Sequence, residues 1–115
     1  MSGRRFTPRP VSAPVSVTAP ATARRRTAAA AFLDALGGAL QIRTDAPHGG
    51  CEVTDPAQAP GRRACGQQAA LTVHYTDQRK RRTFVYACAT HAEPLRYLAT
   101  ARPGVQAAIR SYSPG

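Results

Sequence analysis

A small α+β domain, built on a β-hairpin followed by a helix, is what this sequence predicts. Three observations carry that expectation. Residues 69–76, AALTVHYT, put Leu71, Val73 and Tyr75 on one face and Thr72, His74 and Thr76 on the other, which is the period of a strand. Residues 83–89, TFVYACA, form a second run rich in β-branched and aromatic residues, with Phe84, Tyr86 and Cys88 on one face, and the polar DQRKRR (77–82) joins the two. From His91 to Ala101, Leu95, Leu98 and Ala99 recur at helical spacing.

The elements follow in chain order. Residues 1–26 carry Pro8, Pro10, Pro14 and Pro20, six arginines and no acid. Such a segment has too little apolar surface to offset the entropy of ordering, so it reads as a disordered basic tail with polyproline II character. Residues 27–50 form a helix and a connecting loop. Thr27 is the expected cap, Phe32, Leu33 and Leu36 the apolar stripe of a helix over 28–36, and Gly37–Gly38 its stop. ALQIRT (39–44) suits a short strand or a continuation of that helix. DAPHGG (45–50) and the proline-containing stretch 54–63 read as loops. Residues 51–102 hold the hairpin and second helix. There Thr90 and Glu93 have capping-box spacing, and Pro94 places the helix start near 91–93. In the extension 103–115, VQAAIRSY suits a last turn of helix.

The three cysteines fall at meaningful places on this map. Cys51 and Cys65 precede the hairpin, Cys88 ends its second strand, and His91 opens the helix. A Cys-x-x-His pair at a strand-to-helix junction aims both side chains at one ion, and the hairpin brings Cys65 beside Cys88. Three thiolates and an imidazole make a closed tetrahedral set, the donor chemistry of structural zinc. The fourth ligand is open at this level. Thirteen residues separate Cys51 from Cys65, whereas His48-Gly-Gly-Cys51 offers His48 as a substitute. His74 reads as an outward-facing strand residue. A core of this size, in a chain without Trp and with three Phe in all, is of the kind that needs a staple.

From Cys51 to about Ala101 the chain resembles the treble-clef, zinc-ribbon-like type of zinc finger, and most of all short zinc-binding proteins of actinobacteria. CGQQAALTV (65–73) and CATHAEPL (88–95) are the two matching halves. The resemblance implies a knuckle, a hairpin and a helix sharing one zinc, and covers under half the chain. It departs from the pattern at the wide Cys51–Cys65 spacing.

Formal net charge is +10, and of 16 basic residues only Lys80 is lysine. A basic chain attracts polyanions, and nucleic acid is the candidate partner, met by the basic tail and at the hairpin tip by Arg79, Lys80, Arg81 and Arg82 with Arg62 and Arg63. Arginine and alanine richness is also what codon bias in a GC-rich genome produces, and a charged turn keeps a hairpin soluble. With no aromatic among these arginines, base stacking is not indicated there, and Tyr75, Phe84 and Tyr86 read as core. A protein-interaction or scaffold role is the alternative, with the tail as an arm and the helix from 91 as a docking face. An enzyme is not expected. The chain has no Asn, so the metal network of treble-clef HNH nucleases is missing, and neither Glu52 nor Glu93 lies in a hydrolase motif. Cys-x-x-Cys, the redox spacing, is absent. No run reaches the roughly 18 apolar residues of a membrane span. The arginines at 24–26 lie too far from Met1 for a secretory leader, and an odd number of cysteines argues against a disulfide framework, so a cytoplasmic location is expected.

Overall fold

Alanine is the strongest helix former, and the alanine-rich stretch after Pro20 is helical throughout. The computed structural model describes residues 20–112, in which helix α1 spans Pro20–Ala35. Arg26, Ala29, Leu33 and Leu36 recur every three or four residues and are all buried. Two expectations are corrected here. The helix begins seven residues before Thr27, inside the segment read as tail, and Thr27 Oγ1 donates to the Ala23 carbonyl instead of capping. Proline suits a first helical turn, and Arg25 and Arg26 are pinned by the tertiary contacts described below. The rest of the expected tail, residues 1–19, lies outside the described residues. The stop is as expected: Gly37 and Gly38 take positive φ, and the Gly38 N–H donates to the Leu33 carbonyl at 3.1 Å.

Two short strands follow, β1 (Gln41–Ile42) and β2 (Val53–Thr54), paired antiparallel with Ile42 opposite Val53. The predicted hairpin is present as β3 (Leu71–Thr76) and β4 (Arg82–Ala87), with Val73 opposite Val85. Asp77 builds its turn, accepting the N–H groups of Arg79 and Arg81 and pairing with the Arg81 guanidinium at 2.8 Å. Helix α2 spans Ala89–Leu98 and runs into a 3₁₀ turn at Ala99–Ala101. The helix starts earlier than expected, so Pro94 stands in its second turn. Thr90, whose carbonyl loses the N–H partner there, is exposed. The Thr90–Glu93 capping box does not form. Cys88 occupies the cap position and Glu93 pairs with Arg96.

The C-terminal segment is a strand, not a turn of helix. β5 (Gln106–Ser111) pairs antiparallel with β3, giving the order β4–β3–β5. Val105, Ala107 and Ile109 alternate with exposed neighbours, but Ala107–Ala108 blurs that period in the sequence. Pairing with the free edge of β3 decides the conformation.

The register sorts the side chains. Leu71, Val73, Tyr75, Val85 and Ala87 turn towards α2, where Ala92, Leu95 and Ala99 are buried. Tyr75 also stacks on Phe32 of α1 at 4.8 Å and donates its hydroxyl to the Leu95 carbonyl at 2.6 Å. One core therefore draws on residues from Ala29 to Ile109, across the segments 27–50, 51–102 and 103–115. Phe84 and Tyr86 are not part of it. With Val85 inward, both lie half-buried on the opposite face of the sheet. No described helix is long and apolar enough to cross a membrane.

Candidate metal centre

Cys51, Cys65, Cys88 and His91 converge, with all four ligand atoms within 4.8 Å of one another. A tetrahedral ion with metal–sulfur bonds of about 2.3 Å has sulfur–sulfur edges of about 3.8 Å and sulfur–nitrogen edges of about 3.5 Å. Cys65 Sγ to Cys88 Sγ is 3.8 Å, Cys51 Sγ to His91 Nδ1 is 3.7 Å, and Cys88 Sγ to His91 Nδ1 is 3.3 Å. Three of the six separations thus match a coordination shell, and the cluster could hold a metal ion.

The four candidate ligands come from three stretches of the chain. Cys88 follows β4 and holds the N-cap position of α2, and the first helical turn carries His91 back over it. The wide spacing of Cys51 and Cys65 is bridged by antiparallel pairing. The Cys65 N–H donates to the Val53 carbonyl at 3.0 Å, Thr54 bridges Ala64, and Asp55 N–H donates to the Arg63 carbonyl at 2.7 Å. Residues 51–65 thus form a small hairpin whose loop absorbs the extra length. His48, the expected substitute, is exposed and outside the cluster. It lines a separate concavity with Arg25, Glu52 and Tyr86.

The sulfur electrostatics differ by position. Burial, with the neighbouring sulfurs of Cys88 and Cys65 adding to it, pushes the Cys51 thiol up to about 12, against the backbone N–H groups of Cys88 and Val53. At Cys88 burial also acts upwards. The backbone N–H of His91, the Cys65 thiol and the N–H of Thr90 outweigh it, so that thiol is lowered, although neither amide makes a conventional cap hydrogen bond. A helix N-terminus favours negative charge, which suits the Cys88 position to a thiolate. Cys51 and Cys88 are buried, while Cys65 and His91 are half-buried and form the solvent side of the centre.

Beside the centre lies a polar network that sequence reasoning missed. Glu52 is fully buried and points away from its neighbour Cys51. Its carboxylate accepts from Arg25 at 2.8 and 2.7 Å, from Arg26 Nε at 2.7 Å and from the Tyr86 N–H at 3.1 Å. Its own N–H donates to the Tyr86 carbonyl at 2.9 Å, and Arg25 also donates to the Phe84 carbonyl. The exposed edge of β4 is thereby covered, a standard need of edge strands. Burial raises the Glu52 pKa, but the two guanidiniums and the Tyr86 amide hold it below its ordinary value. Only the scarcity of glutamate hinted at this. Arginines in a proline-rich segment gave no signal.

The expected basic residues separate into two loops. Arg79, Lys80 and Arg81 sit in the β3–β4 turn, where Lys80 takes positive φ, and Arg82 opens β4. Arg62 and Arg63 sit in the Cys51–Cys65 hairpin, where Arg63 donates to the Gln58 carbonyl. No protein-family model matches this chain, and comparisons with curated proteins and with solved structures return no match.

Proposed function

We propose that this chain is a structural zinc-binding module of the treble-clef kind. The zinc ties the Cys51 strand, the Cys65 segment and the β4–α2 junction into one scaffold. The observation that supports this is the convergence of three sulfurs and an imidazole within 4.8 Å, with three of the six separations at 3.3–3.8 Å, close to tetrahedral edge lengths. Soft thiolates favour zinc, and four protein ligands leave no open position for water, so the centre is read as structural and the chain as non-catalytic. Three reduced thiols suit a cytoplasmic setting.

On this scaffold the basic groups of the hairpin tip, Arg79, Lys80, Arg81 and Arg82, with Arg62 and Arg63, meet nucleic-acid phosphate. Arg79 and Arg82 have no salt bridge among the described residues, whereas Arg81 is held by Asp77. A scaffold role in protein assembly is the second reading, favoured by Tyr97, which stands 69% exposed on α2.

Native mass spectrometry tests the first part. One zinc per chain, lost in Cys88→Ser, is expected. A metal-free chain with three freely reactive thiols would end the zinc reading. For the second part, steep salt dependence of polynucleotide binding, shallower after Arg79→Ala, Lys80→Ala and Arg81→Ala together, separates a nucleic-acid module from a scaffold.

A further inference from the structure

The face of the β4–β3–β5 sheet opposite the core is aromatic and basic. Strand register places Thr72, His74 and Thr76 of β3 on the same face as Phe84 and Tyr86 of β4 and Arg110 of β5. The rings touch in sequence. His74 stacks on Phe84 at 5.3 Å and 21°, Phe84 meets Tyr86 edge-on at 5.3 Å, and Tyr86 meets Tyr112 at 4.7 Å. The Arg25 guanidinium lies 4.6 Å from the Phe84 centroid and 5.0 Å from that of Tyr86, bracing the row at the β4 edge.

These rings are half-buried against one another and beneath Arg25, and the row ends in His74 and Tyr112. Here His74 and Phe84 line a concavity of about 550 Å³ whose rims carry Arg82 and Arg110. Both arginines are exposed, and neither forms a salt bridge among the described residues. The register puts no acidic residue on this face. Flat rings with cations at their margins complement a strand of unpaired bases joined by phosphates. The bases stack, and the arginines meet the backbone. A duplex hides its base faces and does not fit.

We propose that this sheet face binds a single-stranded polynucleotide, with His74 and Tyr112, the rings at the two ends of the row, as stacking platforms backed by Phe84 and Tyr86, and Arg82 and Arg110 as phosphate contacts. This deepens the nucleic-acid part of the proposed function and rests on it, but moves the contact from the hairpin tip to the sheet.

The test is fluorescence anisotropy with the zinc-loaded full chain and labelled twelve-nucleotide (dT) and (U) strands at 50–200 mM salt. Tyr112→Ala weakens binding about tenfold, the loss typical of one stacked base. Arg110→Ala weakens it and lowers the salt slope by about one. Phe84→Leu, which keeps an apolar side chain beneath Arg25, gives a second loss. All three variants retain one zinc, and a duplex of the same length competes poorly. Binding unchanged in Tyr112→Ala and Phe84→Leu, or a duplex held as tightly as a single strand, overturns the proposal. If removing Arg79, Lys80 and Arg81 alone abolishes binding, the tip reading stands and the sheet reading fails. If neither strand is bound, both nucleic-acid readings fall, while the zinc scaffold is judged separately by metal content.

Discussion

Glu52→Gln isolates the cost of breaking one buried ionic network. Glu52 has no exposed surface, and its partners Arg25 and Arg26 have side chains only 13% and 6% exposed. Glutamine preserves the volume and one carbonyl oxygen, which still accepts the Tyr86 N–H. Its amide, however, is a donor placed where guanidinium donors stand 2.7 Å from the native oxygens. Two positive charges lose their counter-ion in a site with little water. Removing one partner of a buried pair costs about 3–5 kcal/mol. In a domain of this size that lowers the melting temperature by roughly 12–40 °C. Urea denaturation at pH 7, wild type against Glu52→Gln, measures it. Replacing all three charges, as Arg25→Met, Arg26→Met and Glu52→Leu, is expected to cost less than the single change, because no charge is then stranded.

The same pair has a pH signature. The folded-state pKa of Glu52 is lowered. The network's stabilisation is therefore complete above the unfolded carboxyl value of about 4.3 and is lost as pH falls through the lower folded value. The difference between wild type and Glu52→Gln should shrink on that acid limb. A loss below about 1 kcal/mol at pH 7, or a difference that does not change with acid, would refute the reasoning.

Chelation of the metal should unfold the domain, since structural zinc supplies about 10 kcal/mol or more of apparent free energy at neutral pH. Unchanged circular dichroism after chelation and desalting contradicts that. His91→Ala should abolish stoichiometric zinc, whereas His48→Ala should leave one zinc per chain, as metal analysis of the two proteins would show. Leu33→Ala, at a fully buried position facing the sheet, should cost about 2–5 kcal/mol through its cavity. A near-neutral result in urea melts would mean that α1 is not part of the cooperative core. Tyr75→Phe removes the buried bond to the Leu95 carbonyl and should cost about 1–3 kcal/mol. Identical midpoints for the two proteins would show that the bond contributes nothing net.

The hairpin was legible because the alternation Leu71, Val73, Tyr75 is a local property of a strand with one wet face. The ligand set was largely legible too. The order of Cys65, hairpin, Cys88-x-x-His91 specifies geometry within a short span of chain. Cys51 was ambiguous against His48, because the pairing of Val53–Thr54 with Ala64–Cys65 is not written in any local period.

What the sequence by itself determined is therefore what short-range physics controls: the β3–β4 hairpin, the glycine stop of α1, and a Cys-x-x-His turn able to grip an ion. Three matters were decided only by tertiary structure. The first turns of α1 are held against the sheet edge by Glu52, distant in the chain, which pairs with Arg25 and Arg26. Residues 106–111 are a strand because β3 offers an unpaired edge. Phe84 and Tyr86 face away from the core because pairing Val73 with Val85 sets the register. Side chains in a strand alternate, so one register choice assigned every residue of β4 to its face.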